Sequence, residues 1–174
     1  ATFSFFCRKG NILYLKKKYD QSNKLRLGRG LIFHITPSNV PVNFAFSLIS
    51  GLISGNINLV RVPSNNFEQV DIICDAITKI SKQDKYAQVS KRITLVRYDS
   101  KSEATTYFSS NCDVRIIWGG DETIEQIRKS ALSPRSFDIT FADRYSLSII
   151  DADKLINPEA IFSGDSSLIN LSAS

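Results

Sequence analysis

The sequence predicts an open α/β fold: a mostly parallel sheet with helices on both faces. Three observations carry that expectation. From Gly30 onward, short apolar runs of strand length alternate with segments of helical periodicity. The first run, Leu31-Ile32-Phe33-His34-Ile35, presents apolar residues to both sides, as a strand covered on both faces requires. The connections between successive runs are long enough to hold a helix, so neighbouring strands are expected to run parallel through right-handed crossovers.

Each element follows from its own residues. After the strand at 31–35, residues 42–54 place Val42, Phe46, Ile49 and Ile53 at helical spacing, and Gly55 stands where a helix C-terminus favours glycine. Residues 57–62 read as a second strand, stopped by Pro63-Ser64-Asn65-Asn66. Asn66 is expected to cap a helix whose apolar face is Val70, Ile73, Cys74, Ile77 and Ile80. Residues 81–91 read as a polar loop, leading to a third strand at 93–96. A weaker helix at 100–110 precedes a fourth strand, Val114 to Trp118. Gly119-Gly120 then makes a turn into a helix from Glu122 to Leu132, with acidic residues in its first turn. Strands at Phe137–Phe141 and Ser146–Ile150 close the pattern, and no internal repeat is visible.

Composition narrows the classes further. At 174 residues the chain is expected to hold one domain, or a piece cut from a longer protein, and the lack of any Met favours the piece. With 43% hydrophobic and 22% charged residues it can bury a core, which excludes disorder as the main state. Cys7, Cys74 and Cys112 form no CxxC, and only His34 is available to join them on a metal. Neither a disulfide framework nor a metal site is therefore expected, and a reducing, cytoplasmic compartment is favoured. The charge is uneven: residues 1–29 hold eight Lys or Arg against Asp20 alone, a net +7, while the rest of the chain sums to −2. Such an arm is usually a solvated linker, and otherwise a binder of nucleic acid, anionic lipid or a phosphorylated ligand. Its aromatics (Phe3, Phe5, Phe6, Tyr14, Tyr19) suggest packing on a partner outside this chain. Residues 31–60 carry no Asp, Glu, Lys or Arg, yet Pro37, Pro41, Gly51, Gly55 and several Asn interrupt the run, so it reads as strand–loop–helix–strand and not as a membrane span.

In open parallel sheets, ligands bind beyond the carboxyl ends of the strands. The loops after Ile35, Val62, Val96 and Trp118 are therefore the ones expected to carry chemistry. In the first, Thr36-Pro37-Ser38-Asn39-Val40-Pro41, two prolines fix the backbone around the Asn39 amide. An amide N–H so held suits a developing oxyanion, although an Asn in a turn more commonly satisfies the turn itself. The second loop offers Arg61, Pro63 and Ser64, a cation and a hydroxyl able to meet a phosphate or ribose. In the fourth, Trp118-Gly119-Gly120-Asp121, the glycines admit a flat ligand close to the backbone and open a helix N-terminus toward phosphate. There is no GxGxxG and no GxxxxGK[ST], so neither usual nucleotide fingerprint is present.

Taken together, Gly30-Leu-Ile-Phe-His-Ile-Thr-Pro-Ser-Asn-Val-Pro, the helix, and Gly55-Asn-Ile-Asn-Leu-Val-Arg-Val-Pro-Ser64 resemble the aldehyde dehydrogenase superfamily. That family reads Thr-Pro-Trp-Asn-Phe-Pro, a helix, then Gly-Asn-Thr-Val-Val-Leu-Lys-Pro-Ser. Within it, the long-chain fatty-acyl-CoA reductases of bacterial luminescence systems are the nearest likeness. Trp118-Gly-Gly-Asp121 falls where the family has Phe-Thr-Gly-Ser, and Ser146-Leu-Ser-Ile-Ile-Asp-Ala-Asp153 is similar to its strand ending in Asp-Ala-Asp. The resemblance implies a Rossmann-like nucleotide-binding domain over 28–174, behind a basic arm of 1–27. It implies that Asn39 is the oxyanion-hole amide and that Ile35, Thr36, Pro37 and Ser38 border the nicotinamide. Arg61 or Val62 would fall near the family's ribose-binding Lys, one extra residue preceding Pro63. Gly119 and Gly120 would form the turn beneath the adenine-side phosphates, and Pro63, Ser64 and Trp118 would also contact the cofactor.

Three departures refine the expectation. Asn65 stands where NAD-preferring members carry Glu, and the lost carboxylate leaves room for a 2′-phosphate, which Arg61 would favour. Tyr98-Asp99-Ser100-Lys101 replaces the family's Phe-Gly-Pro. Thr140 falls near the general-base Glu of hydrolytic members, and a reductase that releases aldehyde has no need of that base. The family's nucleophilic Cys would lie beyond Ser174. The expected function is NADPH-dependent reduction (NADH also admitted) of an acyl-CoA or other activated acyl group to the aldehyde through a Cys thioester. This chain would be the cofactor-binding part, inactive alone, without metal or nucleic acid, and self-associating or joined to an acyl-transfer partner. An acyl phosphate substrate is left open. The alternative is a nucleic-acid or anionic-surface binding module that uses the arm.

Overall fold

The computed structural model describes residues 2–19, 24–99, 102–142 and Leu147. It divides into two units, 1–143 and 144–174, and the described elements all belong to the first. The strand expected at Ser146–Ile150 lies, apart from Leu147, outside the described residues.

Five strands form the sheet: β1 (Leu31–Ile35), β2 (Ile57–Arg61), β3 (Ile93–Val96), β4 (Val114–Trp118) and β5 (Phe137–Phe141). Their order is β3-β2-β1-β4-β5, and every neighbouring pair is parallel. The chain therefore leaves β1 to one side for β2 and β3, then returns to the other side for β4. That reversal opens a crevice at the carboxyl ends of β1 and β4.

Both faces of the central strands are covered. On one face, Phe44, Ala45 and Leu48 of α3 (Asn43–Ile53) pack with Val60, Val62 and Val70, the last from α4 (Glu68–Ser81). On the other, Phe33, Ile35, Leu59 and Cys112 pack against Phe108 of α6 (Ala104–Asn111) and Ile127 of α7 (Asp121–Arg128). Two helices, α1 (Thr2–Phe6) and α2 (Lys9–Tyr19), precede the sheet, and a short α5 (Ala87–Ser90) lies between α4 and β3.

The structure corrects several element-level expectations. The buried side of α3 is Phe44, Ala45, Ser47, Leu48 and Gly51, not the row Val42, Phe46, Ile49 and Ile53. Small residues on that side let the helix approach the strands, while Phe46 turns toward the arm. There the rings of Phe3 and Phe6 lie 5.0 and 5.1 Å from it, so these two arm aromatics find their partner within the chain. Helix α4 begins one residue later than a cap at Asn66 requires; Phe67 holds the capping position with no side-chain hydrogen bond. The polar loop of 81–91 contains a 3-10 turn (Asp84–Tyr86) and α5, both too short to show a period. Helix α7 stops at Arg128 and not at Leu132. The carbonyls of Ile127, in its last turn, and of Ser130, two residues beyond its end, accept from the buried guanidinium of Arg115 at 3.2 and 2.8 Å.

Two glycines matter. Gly55 has φ +80°, the left-handed conformation that ends α3. Gly51 has another reason: a Cβ there would strike Asn58 Oδ1 and come within 3.2 Å of the His34 ring. Gly51→Ala improves helix propensity by about 1 kcal/mol, but the methyl has to displace this buried pair. We expect net destabilisation of about 2 kcal/mol from the overpacking, and urea unfolding will give the sign.

Candidate functional site

A cleft of about 800 Å³ opens at the crevice between β1 and β4, within the size range of small-molecule sites. Its walls come from the loops after β1, β2, β3 and β4. Every site residue singled out in the sequence lines it: Ile35, Thr36, Pro37, Ser38 and Asn39 after β1; Arg61, Pro63 and Ser64 after β2; Trp118, Gly119 and Gly120 after β4. The topology brings them together because all three strands end on the same side of a parallel sheet.

The loops are tied to one another by short links. Thr36 Oγ1 donates to Arg61 O at 3.0 Å, joining the ends of β1 and β2. Asn65 Nδ2 donates to Ser38 O at 3.3 Å, so this side chain braces the β1 loop. The Asn39 amide makes no hydrogen bond among the described residues, which counts against its serving only the turn. The Arg61 guanidinium lies 4.8 Å from the centre of the Tyr98 ring and donates through Nη2 to Tyr98 O at 3.5 Å. Tyr98 is fixed in turn by Thr105 Oγ1 at 3.0 Å, and burial raises its phenol above the ordinary range. The cation is thus held at the cleft wall by an aromatic face.

On the β4 side, Trp118 and Phe141 stack in parallel, with centroids 3.9 Å apart and planes 10° from each other. They are register partners on β4 and β5. Beyond them Gly120 is the capping residue of α7, whose first amide groups have no partner within the helix. Asp121 and Glu122 already complement the dipole there, so an anion would rely on the backbone N–H groups more than on charge. Sequence reasoning missed Phe141, Asp99 and Thr123, which also line the cleft. Phe141 was within reach, since the last residues of adjacent parallel strands reach the same edge.

None of the three cysteines is an activated nucleophile. Burial pushes the thiols of Cys7, Cys74 and Cys112 above their usual value, and all three are unpaired. Cys112 also sits at the start of β4, at the opposite end of the sheet from the cleft.

Comparison with known proteins agrees with this architecture. A family model described as acyl-CoA reductase (LuxC) matches residues 10–162. The long-chain acyl-protein thioester reductase of Aliivibrio fischeri is 25% identical over 134 residues, 76% of this chain, and the chain spans only 27% of that relative's length. Among solved structures, an NAD-dependent benzaldehyde dehydrogenase from Corynebacterium glutamicum matches with a TM-score of 0.54 and 14% identity, over 76% of this chain and 31% of that one. Betaine aldehyde dehydrogenase from Staphylococcus aureus, solved in complex with NAD+, gives 0.52 and 20% identity over 66% and 22%. Glyceraldehyde-3-phosphate dehydrogenase GapN from Methanocaldococcus jannaschii, complexed with NADP, gives 0.50 and 16% over 68% and 25%. These structures share the fold: the open parallel sheet of this chain is the Rossmann-like arrangement of aldehyde dehydrogenases. With the matched segment covering most of its length, the chain belongs to the acyl-CoA reductase (LuxC) family.

Proposed function

We propose that this chain is the nicotinamide-nucleotide-binding part of an enzyme that reduces a long-chain acyl thioester to the aldehyde. The observation that carries this reading is the donor set of the cleft. It offers a cation at Arg61, hydroxyls at Ser38 and Ser64, an amide at Asn39 with no hydrogen bond among the described residues, first-turn amides after Gly120 with no partner within the helix, and an aromatic wall at Trp118. Phosphates, ribose hydroxyls and flat rings are what such a set receives. When bound, NADPH would supply the hydride that converts the acyl thioester to aldehyde and thiolate. Arg61 would hold the 2′-phosphate side, and the neutral Asn65 would tolerate it where a carboxylate would repel it. The Asn39 N–H would donate to the oxygen as negative charge builds on the acyl carbon's carbonyl. The nucleophilic Cys would be supplied by sequence other than the chain described here, which is consistent with the raised thiols of all three cysteines.

The acyl carrier is the finer question. The relative in A. fischeri is named for an acyl-protein thioester; acyl-CoA carries the same reactive group, so the two are separated by offering each to the complete enzyme. The exposed apolar row Phe137, Ile139 and Phe141 on edge strand β5 suits burial against a further part of the protein or a second copy. The charge-based alternative has less behind it. The basic residues Arg8, Lys9 and Lys16 to Lys18 lie in or beside α2, and none of them lines the cleft.

The test is a titration with NADPH and, separately, NADH, following the fluorescence of the only tryptophan. Saturable quenching, stronger for NADPH, is expected because Trp118 lines the cleft. Arg61→Ala is expected to weaken NADPH by about tenfold, the loss of one charge-assisted contact, and to leave NADH nearly unchanged. Absence of quenching by either nucleotide on the folded chain would sink the reading.

A further inference from the structure

The only histidine of the chain, His34 on β1, is fully buried and does not line the cleft, yet a continuous set of hydrogen bonds links it to the cleft wall. Trp118 Nε1 donates to Ser47 Oγ at 3.2 Å. Ser47 Oγ lies 2.7 Å from His34 Nδ1. His34 Nε2 lies 3.0 Å from Asn58 Oδ1, and Asn58 Nδ2 donates to Asn56 O at 2.9 Å and to Arg92 O at 3.4 Å.

The direction of every bond in this set is fixed from both ends. An indole N–H only donates, so Ser47 accepts from Trp118 and its one hydrogen is free for His34 Nδ1. At the far end, both hydrogens of the Asn58 amide are used on carbonyls, so Oδ1 faces His34 as an acceptor and Nε2 must carry the imidazole proton. The two requirements give the same tautomer. Burial also keeps the ring neutral, drawing it down to about 4. Gly51 leaves the space that Asn58 Oδ1 and the His34 ring occupy.

We propose that Ser47, oriented by His34 and Asn58, is a positioning residue for the cleft: it fixes the edge of the Trp118 indole so that the ring lies flat on Phe141 and forms a rigid wall beside the Gly119-Gly120 turn. Without the hydroxyl, the indole N–H has no acceptor at that position, and the ring is free to swing about its side-chain torsions while the Phe141 face still attracts it. The residue acts through Trp118 and touches no ligand.

Three readouts test this, and only the last, on NADPH affinity, rests on the cofactor reading above. In the unmodified protein the single indole N–H should give one proton resonance that exchanges slowly with water; exchange at the rate of a free indole would overturn the proposal without any variant. In Ser47→Ala the Trp118 emission should shift to the red and its accessibility to iodide should rise, whether or not nucleotide binds. Unchanged emission and accessibility in a folded Ser47→Ala protein would overturn it equally. For NADPH, followed by the nucleotide's own fluorescence, Ser47→Ala and Trp118→Phe should each raise Kd by about tenfold. The double variant should be no weaker than Trp118→Phe alone, since Ser47 has then lost the group through which it acts. Strictly additive losses would mean that Ser47 serves the fold and not the indole. If the unmodified chain binds no nucleotide, the cofactor reading fails, and the exchange and emission measurements still decide the role of Ser47.

Discussion

Arg115→Ala is expected to lower the unfolding free energy by about 3–5 kcal/mol, the cost of breaking a buried ion pair from one side. Arg115 lies on β4 and is 1% exposed. Its Nε and Nη2 grip the two oxygens of Asp138 at 2.7 and 3.1 Å, across the β4–β5 register. Its Nη1 reaches Ser109 Oγ at 2.8 Å as well as the two carbonyls at the end of α7. One side chain thus joins two strands to the ends of two helices. Truncation strands the Asp138 carboxylate, left with the half-exposed Arg128 at 3.4 Å, and uncovers two helix-terminal carbonyls. A domain of this size commonly has only about 5–15 kcal/mol in total, so the variant should unfold at much lower urea, and the nucleotide binding proposed above should fall with it because Thr123 and Ile127 of α7 line the cleft. Replacing both partners by apolar residues, Arg115→Met with Asp138→Leu, should cost less than Arg115→Ala alone, since no charge is then left buried. An Arg115→Ala protein with the original urea midpoint would show that the pair contributes nothing.

Acid should destabilise the fold through His34. Burial brings its imidazole from about 6.5 down to about 4, with the Asn58 hydrogen bond opposing only in part. The unfolded chain therefore takes up a proton as pH falls through 6.5, while the folded chain resists until about 4. Stability from this group is fully present above 6.5 and is lost progressively down to about 4. At about 1.4 kcal/mol per pH unit, the loss between pH 7 and pH 5 is about 2 kcal/mol. Carboxylates also titrate in this range, so the measurement is a difference: urea unfolding of the original protein and of His34→Leu at both pH values. The variant is less stable throughout but should lack this part of the slope. Equal slopes would mean that His34 is protonated in the fold or exposed in both states.

Much of the architecture was written in local pattern. All five described strands occupy the positions their apolar runs indicate, with β2 one residue shorter, because short runs rich in β-branched and aromatic residues between turn signals mark a strand even where Asn58, Arg115 or Asp138 interrupts them. The proline and glycine loops after β1 and β4 also marked the cleft, since strands alternating with helices must all end at one edge. Helix faces and termini were less legible. The periodicity of 42–54 admits two apolar rows, and the choice fell to the small residues Ala45, Ser47 and Gly51, which fit close against the strands. The end of α7 was set by Arg115, thirteen residues before Arg128 in sequence, whose reach is invisible to any local window.

By itself, then, the sequence determined the alternation of strands and helices, the edge at which the cleft opens and the residue types presented there, because these depend on hydrophobic period and backbone-restricting residues within a few positions of each other. The tertiary structure alone decided which distant groups meet: Trp118 with Phe141 and Ser47, Ser47 with His34, Arg115 with Asp138, and the arm's Phe3 with Phe46. Those contacts depend on strand order and on which way each helix faces, and a polar side chain becomes costly or useful only once packing has removed water from around it.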